Sequence, residues 1–232
     1  MPIGDIHLGH KETNEDLVKT YLDWAKKRKY CLVLGMGDLM ETGVKTSYGL
    51  WDQKTHPNQQ FKDVIKLLKP LKKRLIGLLD GNHEQRIYKR TGFNVTEQLS
   101  AQLKTPYLGV GKFITIKVKK DDHKQEYTFY ATHGSSAAWT LGGKINAGIR
   151  MARGYVADCL LHAHIHLLFT FNLSQYKPVG KDVVLSDFKV VYTGSFVEHA
   201  NTYVHVKGMP PTSLGCPRIE LHADMHKMVV KL

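Results

Sequence analysis

The chain has 232 residues, 42% hydrophobic and 23% charged, the composition of an ordinary globular protein with enough length for a sizeable core. No window approaches 18 uncharged apolar residues, and Met1-Pro2-Ile3-Gly4-Asp5 has neither a basic nor an apolar leader region. Three scattered cysteines (Cys31, Cys159, Cys216) suit neither a disulfide framework nor a cysteine-based zinc site, so the expectation is one cytoplasmic domain over residues 1–232 without membrane contact. A formal net charge of +12 favours anionic partners such as nucleic acid, although a basic surface serves solubility equally well.

The opening Ile3-Gly4-Asp5-Ile6-His7-Leu8-Gly9-His10 places Asp5 and His7 two apart, so both can face one side of an extended segment. Only Met1 to Ile3 precede them, which is short for a strand. Residues 14–29 carry Leu17, Val18, Tyr21, Leu22, Trp24 and Ala25 at helical spacing, with Asn14 as a cap. Tyr30-Cys31-Leu32-Val33-Leu34 reads as a buried strand that ends in Gly35-Met36-Gly37-Asp38-Leu39-Met40-Glu41. Strand, helix, strand suggests a parallel βαβ unit, in which functional groups gather at the carboxyl ends of the strands. Residues 42–57 form a polar loop containing Tyr48 and Trp51. A helix over 59–73 and a buried strand over 74–79 follow, ending in Asp80-Gly81-Asn82-His83-Glu84.

A short helix is expected over 95–104. The alternating run 113–118 and the run 126–131, joined at Asp121-Asp122, read as an antiparallel hairpin ending in Thr132-His133-Gly134. A small-residue loop over 135–143 contains Trp139, and a helix over 144–155 carries Lys144, Arg150 and Arg153. The run 159–161 leads into Ala163-His164-Ile165-His166, whose histidines would share one side of a strand end. Residues 167–173, 188–193, 201–207 and 219–232 look β-rich.

Five clusters therefore fall at strand ends: Asp5/His7, Asp38, Asn82/His83, His133 and His164/His166. Singly each is weak, since most histidines are surface or satisfied core residues, and His56, His123, His222 and His226 keep that reading. In order, the five motifs resemble the calcineurin-like metallophosphoesterase superfamily over Asp5 to His166. The resemblance implies a four-layer αββα sandwich and two divalent metal ions. Asp5, His7 and His166 would hold the first ion, Asn82, His133 and His164 the second, and Asp38 would bridge them. His83 would serve the leaving-group side, with Glu41 orienting it. The mixed donor set suits manganese first, then iron, zinc or nickel.

Two departures stand out. Ala163 takes the place of the usual glycine, and His162 has the same parity as His164, so a His162/His164 register competes with His164/His166. The second is preferred because it gives Ala163 the small-residue position. The implied activity is hydrolysis of a phosphoester by a metal-bridging hydroxide. Basic balance, the loop aromatics Tyr48, Trp51 and Trp139, and a looser likeness to DNA-processing and phage-type members lean toward phosphodiesters in nucleic acid. His10, Lys144 and Arg150 are candidate phosphate contacts, each with a bland reading as a solvated surface residue. The alternatives are a phosphomonoesterase or a protein or small-molecule phosphatase, and, from another class, a non-catalytic nucleic-acid-binding protein with a structural metal site.

Overall fold

The computed structural model describes residues 1–47, 50–198, 205, 208 and 210–232, with the backbone alone at 177. Tyr48 and the β-rich stretch expected over 201–207, except His205, lie outside the described residues. The strands are β1 (Pro2–Ile3), β2 (Val33–Gly35), β3 (Leu75–Leu78), β4 (Gly111–Lys120), β5 (His123–Thr132), β6 (Cys159–His162), β7 (Leu168–Val179), β8 (Asp182–Thr193), β9 (Arg218–Leu221) and β10 (Met228–Lys231). The α-helices are α1 (Glu15–Lys26), α2 (Pro57–Leu68), α3 (Asn82–Thr91), α4 (Val95–Leu103) and α5 (Leu141–Ala152).

The short apolar runs become parallel strands because both of their faces are covered. β1, β2 and β3 form a parallel sheet in that order, and β4-β5-β6-β8-β7 form a mixed sheet. Successive side chains point to opposite faces, and the packing divides accordingly. Val33 joins Val18, Leu22 and Ala25 of α1, Val64 and Leu68 of α2, and Leu99 of α4 on the outer side of the first sheet. Leu34 turns inward with Met36 and Leu79 to meet Phe129, Ala131, Cys159, Leu161 and Val191 of the second sheet. Leu160, Phe188, Val190 and Tyr192 face outward with Ala152 at the end of α5. Three cores between four layers make the αββα sandwich.

Local chemistry fixes the ends of the elements. Asn14 Oδ1 accepts the Leu17 N–H at 2.9 Å and caps α1. Arg74 Nη1 donates to the carbonyls of Ala25, Lys26 and Arg28 and closes the other end of that helix. That turn displaces the expected strand over 30–34: Tyr30 is 86% exposed and the strand begins only at Val33. Helix α3 was not expected from the sequence. Its residues are almost all polar, and its one buried side chain is Glu84, so it has no apolar stripe to read. β7 and β8 extend beyond 173 and before 188 as a hairpin whose outer half is exposed on both faces, which removes the alternation that would have marked it. The lysine clusters 26–29 and 117–124 lie largely on exposed surface. Among the described residues no helix is long and apolar enough to cross a membrane.

The turns after β2 and β3 are in backbone contact. Gly37 has φ 87°, and a Cβ there would lie 2.7 Å from Gly81 Cα, while a Cβ on Gly81 would collide with the Asp38 backbone nitrogen. Gly81→Ala is therefore expected to destabilise the fold by about 1–3 kcal/mol, the usual cost of overpacking. A urea unfolding midpoint equal to that of the wild type would show that the two turns are not held in this contact.

Candidate metal centre

Asp5, Asp38, Asn82, His133, His164 and His166 all lie just past the carboxyl ends of β1, β2, β3, β5 and β6. The alternation expected for Asp5/His7 and for His164/His166 is not how they converge. Asp5, His7, Asp38, His164 and His166 all have left-handed backbones, with φ of 47°, 50°, 48°, 67° and 51°. Each pair sits in a turn beyond its strand, and the turn, not a pleat, aims the side chains. Such residues cost about 1–2 kcal/mol each and persist only where neighbours fix them. The Asp5 carbonyl accepts from Ser195 Oγ and from the Phe196 N–H, both at 3.1 Å. The His7 carbonyl accepts from Thr13 Oγ1 at 2.7 Å and from the His10 N–H at 2.9 Å. The Asp38 carbonyl accepts the His7 N–H at 2.9 Å, and the Asp38 N–H donates to Glu84 Oε2 at 3.0 Å.

The donor atoms fall into groups that each fit within 4.8 Å: Asp5, His7 and His166; Asp38, His133 and His164; and His7, Glu41 and His83. Asn82 Oδ1 joins the second group, 3.0 Å from His133 Nε2 and 2.7 Å from His164 Nδ1. Asp38 Oδ2 lies between the first two groups, 3.3 Å from His133 Nε2 and 3.8 Å from His7 Nε2. The third group has a different character, because His7 Nδ1 donates to Glu41 Oε2 at 2.9 Å and that carboxylate is engaged in orienting the ring. His133 Nδ1 likewise donates to the Met36 carbonyl at 2.8 Å, which turns its Nε2 inward.

These residues fit a divalent cation. Asp5 Oδ1 is buried, makes no hydrogen bond and lies 3.2 Å from His166 Nε2. His7 Nε2 and His166 Nε2 face each other at 3.2 Å, a separation that two imidazole lone pairs tolerate only with a proton or a cation between them. Asp5, His7 and His166 could hold one ion and Asn82, His133 and His164 a second, with Asp38 reaching both. His162 belongs to none of the groups. It is fully buried at the end of β6, edge-on to Tyr192, so the geometry favours the His164/His166 register.

Charge and burial compete throughout the cluster. Burial would raise the Asp38 and Asp5 carboxyls, but the surrounding histidines hold both below the ordinary range. Burial opposes protonation of His133, and Asp38 with Asp5 overcomes it and pushes the ring up to about 10. His7 is pushed down to about 4 by burial and by His83. Glu84, with three backbone donors (Asp38, Met40 and Gly81) on its carboxylate, is nevertheless pushed up to about 7 by burial and by Asp38.

His83 opens α3 beside this cluster, its ring edge-on to His7 at 4.3 Å. Its Nδ1 donates to the Glu41 backbone carbonyl at 2.6 Å and lies 3.3 Å from Glu41 Oε2, so Glu41 orients His83 mainly through its main chain and His7 through its side chain. His10 is not the surface residue that one reading allowed. It is 8% exposed, bridged to Gln53, and its Nδ1 accepts the Glu12 N–H. Lys144 is likewise buried on α5, which overturns its solvated reading, whereas Arg150 is exposed. Neither side chain has a hydrogen bond or ion pair to the cluster among the described residues. Trp51 and Trp139 are exposed at 84% and 50%.

Several partners escaped sequence reasoning. Glu84, Thr13 and Ser195 hold the backbone of the ligand-type residues, Gln60 accepts the Thr42 N–H at 2.8 Å, and Arg86 Nη2 lies 2.7 Å from His83 Nε2. Of these only Glu84 lies within a motif singled out above, and nothing in its spacing marks what it would bond.

A family model described as calcineurin-like phosphoesterase matches residues 3–168. No curated protein matches the chain. Among solved structures it is similar to a zinc complex of Vps29 from Entamoeba histolytica, at 15% identity and TM-score 0.49, covering 99% of this chain and 95% of that one. It is similar to Vps29 from Cryptosporidium parvum at 12% identity and TM-score 0.42, covering 99% and 94%. It is similar to the nuclease MPE of Pseudomonas putida at 15% identity and TM-score 0.40, covering 87% and 75%.

In the metal-free protein the raised His133 proton contributes stability that is full below about pH 6.5 and is lost as pH rises through about 10. A metal ligand must be a neutral imidazole, so ion binding expels that proton. Thermal melts in EDTA should therefore fall across pH 6.5–10, and manganese affinity should rise over the same interval. Calorimetry in buffers of different ionisation heat checks this, and a binding heat independent of the buffer would contradict it.

Proposed function

The chain belongs to the calcineurin-like phosphoesterase family, a family of metal-dependent hydrolases, and from that premise we propose that it hydrolyses phosphodiester bonds in nucleic acid with two divalent ions, manganese being the first to test. The observation that carries this reading is the meeting of two ligand groups at Asp38 Oδ2 beside His83, on a chain with formal charge +12. The three unpaired thiols suit a reducing cytoplasm.

Bound in these groups, divalent ions supply positive charge to phosphoryl oxygens and lower the pKa of an attacking water. The chain's own residues do the remaining work. Asp5, Asp38 and the imidazoles fix where that charge sits. Glu41 and the Met36 carbonyl hold His7 and His133 in the tautomers that leave Nε2 free. Burial and Arg86 lower the His83 pKa while Asp38 and Glu41 raise it. Its Nδ1 proton goes to the Glu41 carbonyl and its Nε2 accepts from Arg86 Nη2, so a proton at Nε2 for the departing oxygen requires the guanidinium to leave that contact for the substrate. Exposed Trp51 and Trp139 offer faces on which bases can stack.

A substrate panel with manganese tests the reading. Cutting of DNA and hydrolysis of bis-p-nitrophenyl phosphate are expected, with kcat lower by about 10²–10⁴ in His83→Ala. Asp38→Ala should lose both activity and one equivalent of bound metal. Binding to DNA should weaken steeply with salt. Turnover of p-nitrophenyl phosphate with none of either diester would overturn the proposal.

A further inference from the structure

Helix α3 begins in the metal centre and leaves it carrying cations. His83, Arg86 and Arg90 are spaced i, i+3 and i+7 and share one helix face. The Arg86 guanidinium sits against His83 and Glu41, with Nη2 2.7 Å from His83 Nε2 and Nη1 3.7 Å from Glu41 Oε1. One turn further, Arg90 Nη2 donates to Thr46 Oγ1 in the loop that follows Asp38 and also carries exposed Trp51. Phe93, 51% exposed, follows the helix end just beyond Arg90, and Lys89 beside Arg90 is exposed, while the exposed Tyr88 projects from the other side of the helix. This arrangement is not a solvated face of scattered charge: both guanidinium groups are anchored toward the loop or the catalytic-side histidine.

We propose that Arg86 and Arg90 form a subsite for the phosphate next to the scissile one, which makes a polynucleotide, and not a molecule with a single phosphate, the substrate class of this site. The inference rests on the phosphodiesterase reading above and deepens it. Four residues of helix separate the two arginines by about 6 Å along the axis, a spacing on the scale of one nucleotide step. Guanidinium groups bind phosphate oxygens through paired N–H donors, and aromatic faces beside them accept bases without regard to sequence. Arg86 is a positioning residue for His83 as well as a phosphate contact, because its guanidinium meets Nε2. Arg90 touches only the neighbouring phosphate.

The test compares kcat/KM for a single-stranded oligothymidylate with kcat/KM for bis-p-nitrophenyl phosphate, using the full chain with manganese. Arg90→Ala is expected to lower the ratio about tenfold, through KM, as loss of one charge-assisted contact does. Arg90→Lys should recover part of it. Arg86→Gln should lower the ratio and also alter the pH profile on the small substrate. Lys119→Ala, on the exposed β4–β5 hairpin, is the control for general charge and should leave the ratio at the wild-type value. A wild type that cuts the oligonucleotide while Arg90→Ala keeps the same ratio overturns the subsite and leaves the phosphodiesterase reading standing. An equal fall in Lys119→Ala also overturns it, as a diffuse charge effect. A wild type that turns over only a monoester overturns both.

Discussion

Asp38 meets its surroundings through both carboxylate oxygens. Oδ1 accepts the His83 backbone N–H at 2.8 Å, at the first turn of α3, while Oδ2 lies between His133 and His7. The helix N-terminus is a natural place for a negative charge, because its first N–H groups lack partners within the helix. Asp38 therefore joins β2 to the start of α3 and to the ends of β1 and β5 at once. Glu84 reinforces the joint from below by accepting the Asp38, Met40 and Gly81 N–H groups. The near contact of Gly37 with Gly81 is the steric condition for it, since a side chain at either position would part the two turns.

The same joint explains why the functional backbone is strained. Five side chains must reach a common point from the ends of strands lying in two different sheets. A pleated strand end sends its side chains up or down, not forward along the strand axis. Left-handed turns at Asp5, His7, Asp38, His164 and His166 redirect them. The strain is carried by the sandwich, which supplies Ser195, Thr13 and Phe196 from elsewhere in the chain to fix the strained carbonyls. Cation binding would stabilise the same geometry, so site formation and folding are coupled.

Much of this was legible in the sequence. Apolar runs followed by polar clusters, Gly-flanked after β2 and β3 and opened by Ala163 after β6, marked those strands and the clusters beyond them, because a doubly covered parallel strand has few other ways to be written. Strand alternation is not what brings the residues spaced by two together: turns do, and their left-handed backbones at Asp and His leave only a weak signature, since these types favour that region without requiring it. Helix α3 was illegible because Glu84 hydrogen bonds and the single apolar contact of Ile87 hold it, with no apolar stripe to read. Burial of His10 and Lys144 was illegible for a related reason. Each is covered by tertiary neighbours, Gln53 in one case and the packing of α5 on β8 in the other, that lie far away in sequence.

The distribution of charge decides how an anionic substrate can approach. Asp5, Asp38, Glu41 and Glu84 place four carboxyl groups within the buried centre, and the histidines around them hold Asp5, Asp38 and Glu41 in the ionised form. With His133 charged and His7 neutral, the ionised carboxylates outnumber the imidazoles whose pKa is raised, so without bound cations this interior is acidic and does not attract a phosphate. The +12 of the whole chain acts from outside, over the range of a Debye length, and raises the local concentration of polyanions without fixing their orientation. Between the two scales stands α3, whose Arg86 is only partly exposed and already touches the inner histidine. A long-range basic surface and a short-range acidic pocket are compatible with one substrate only if cationic groups connect them, and α3 is the element whose first residue lies in the pocket and whose last turn lies on the surface.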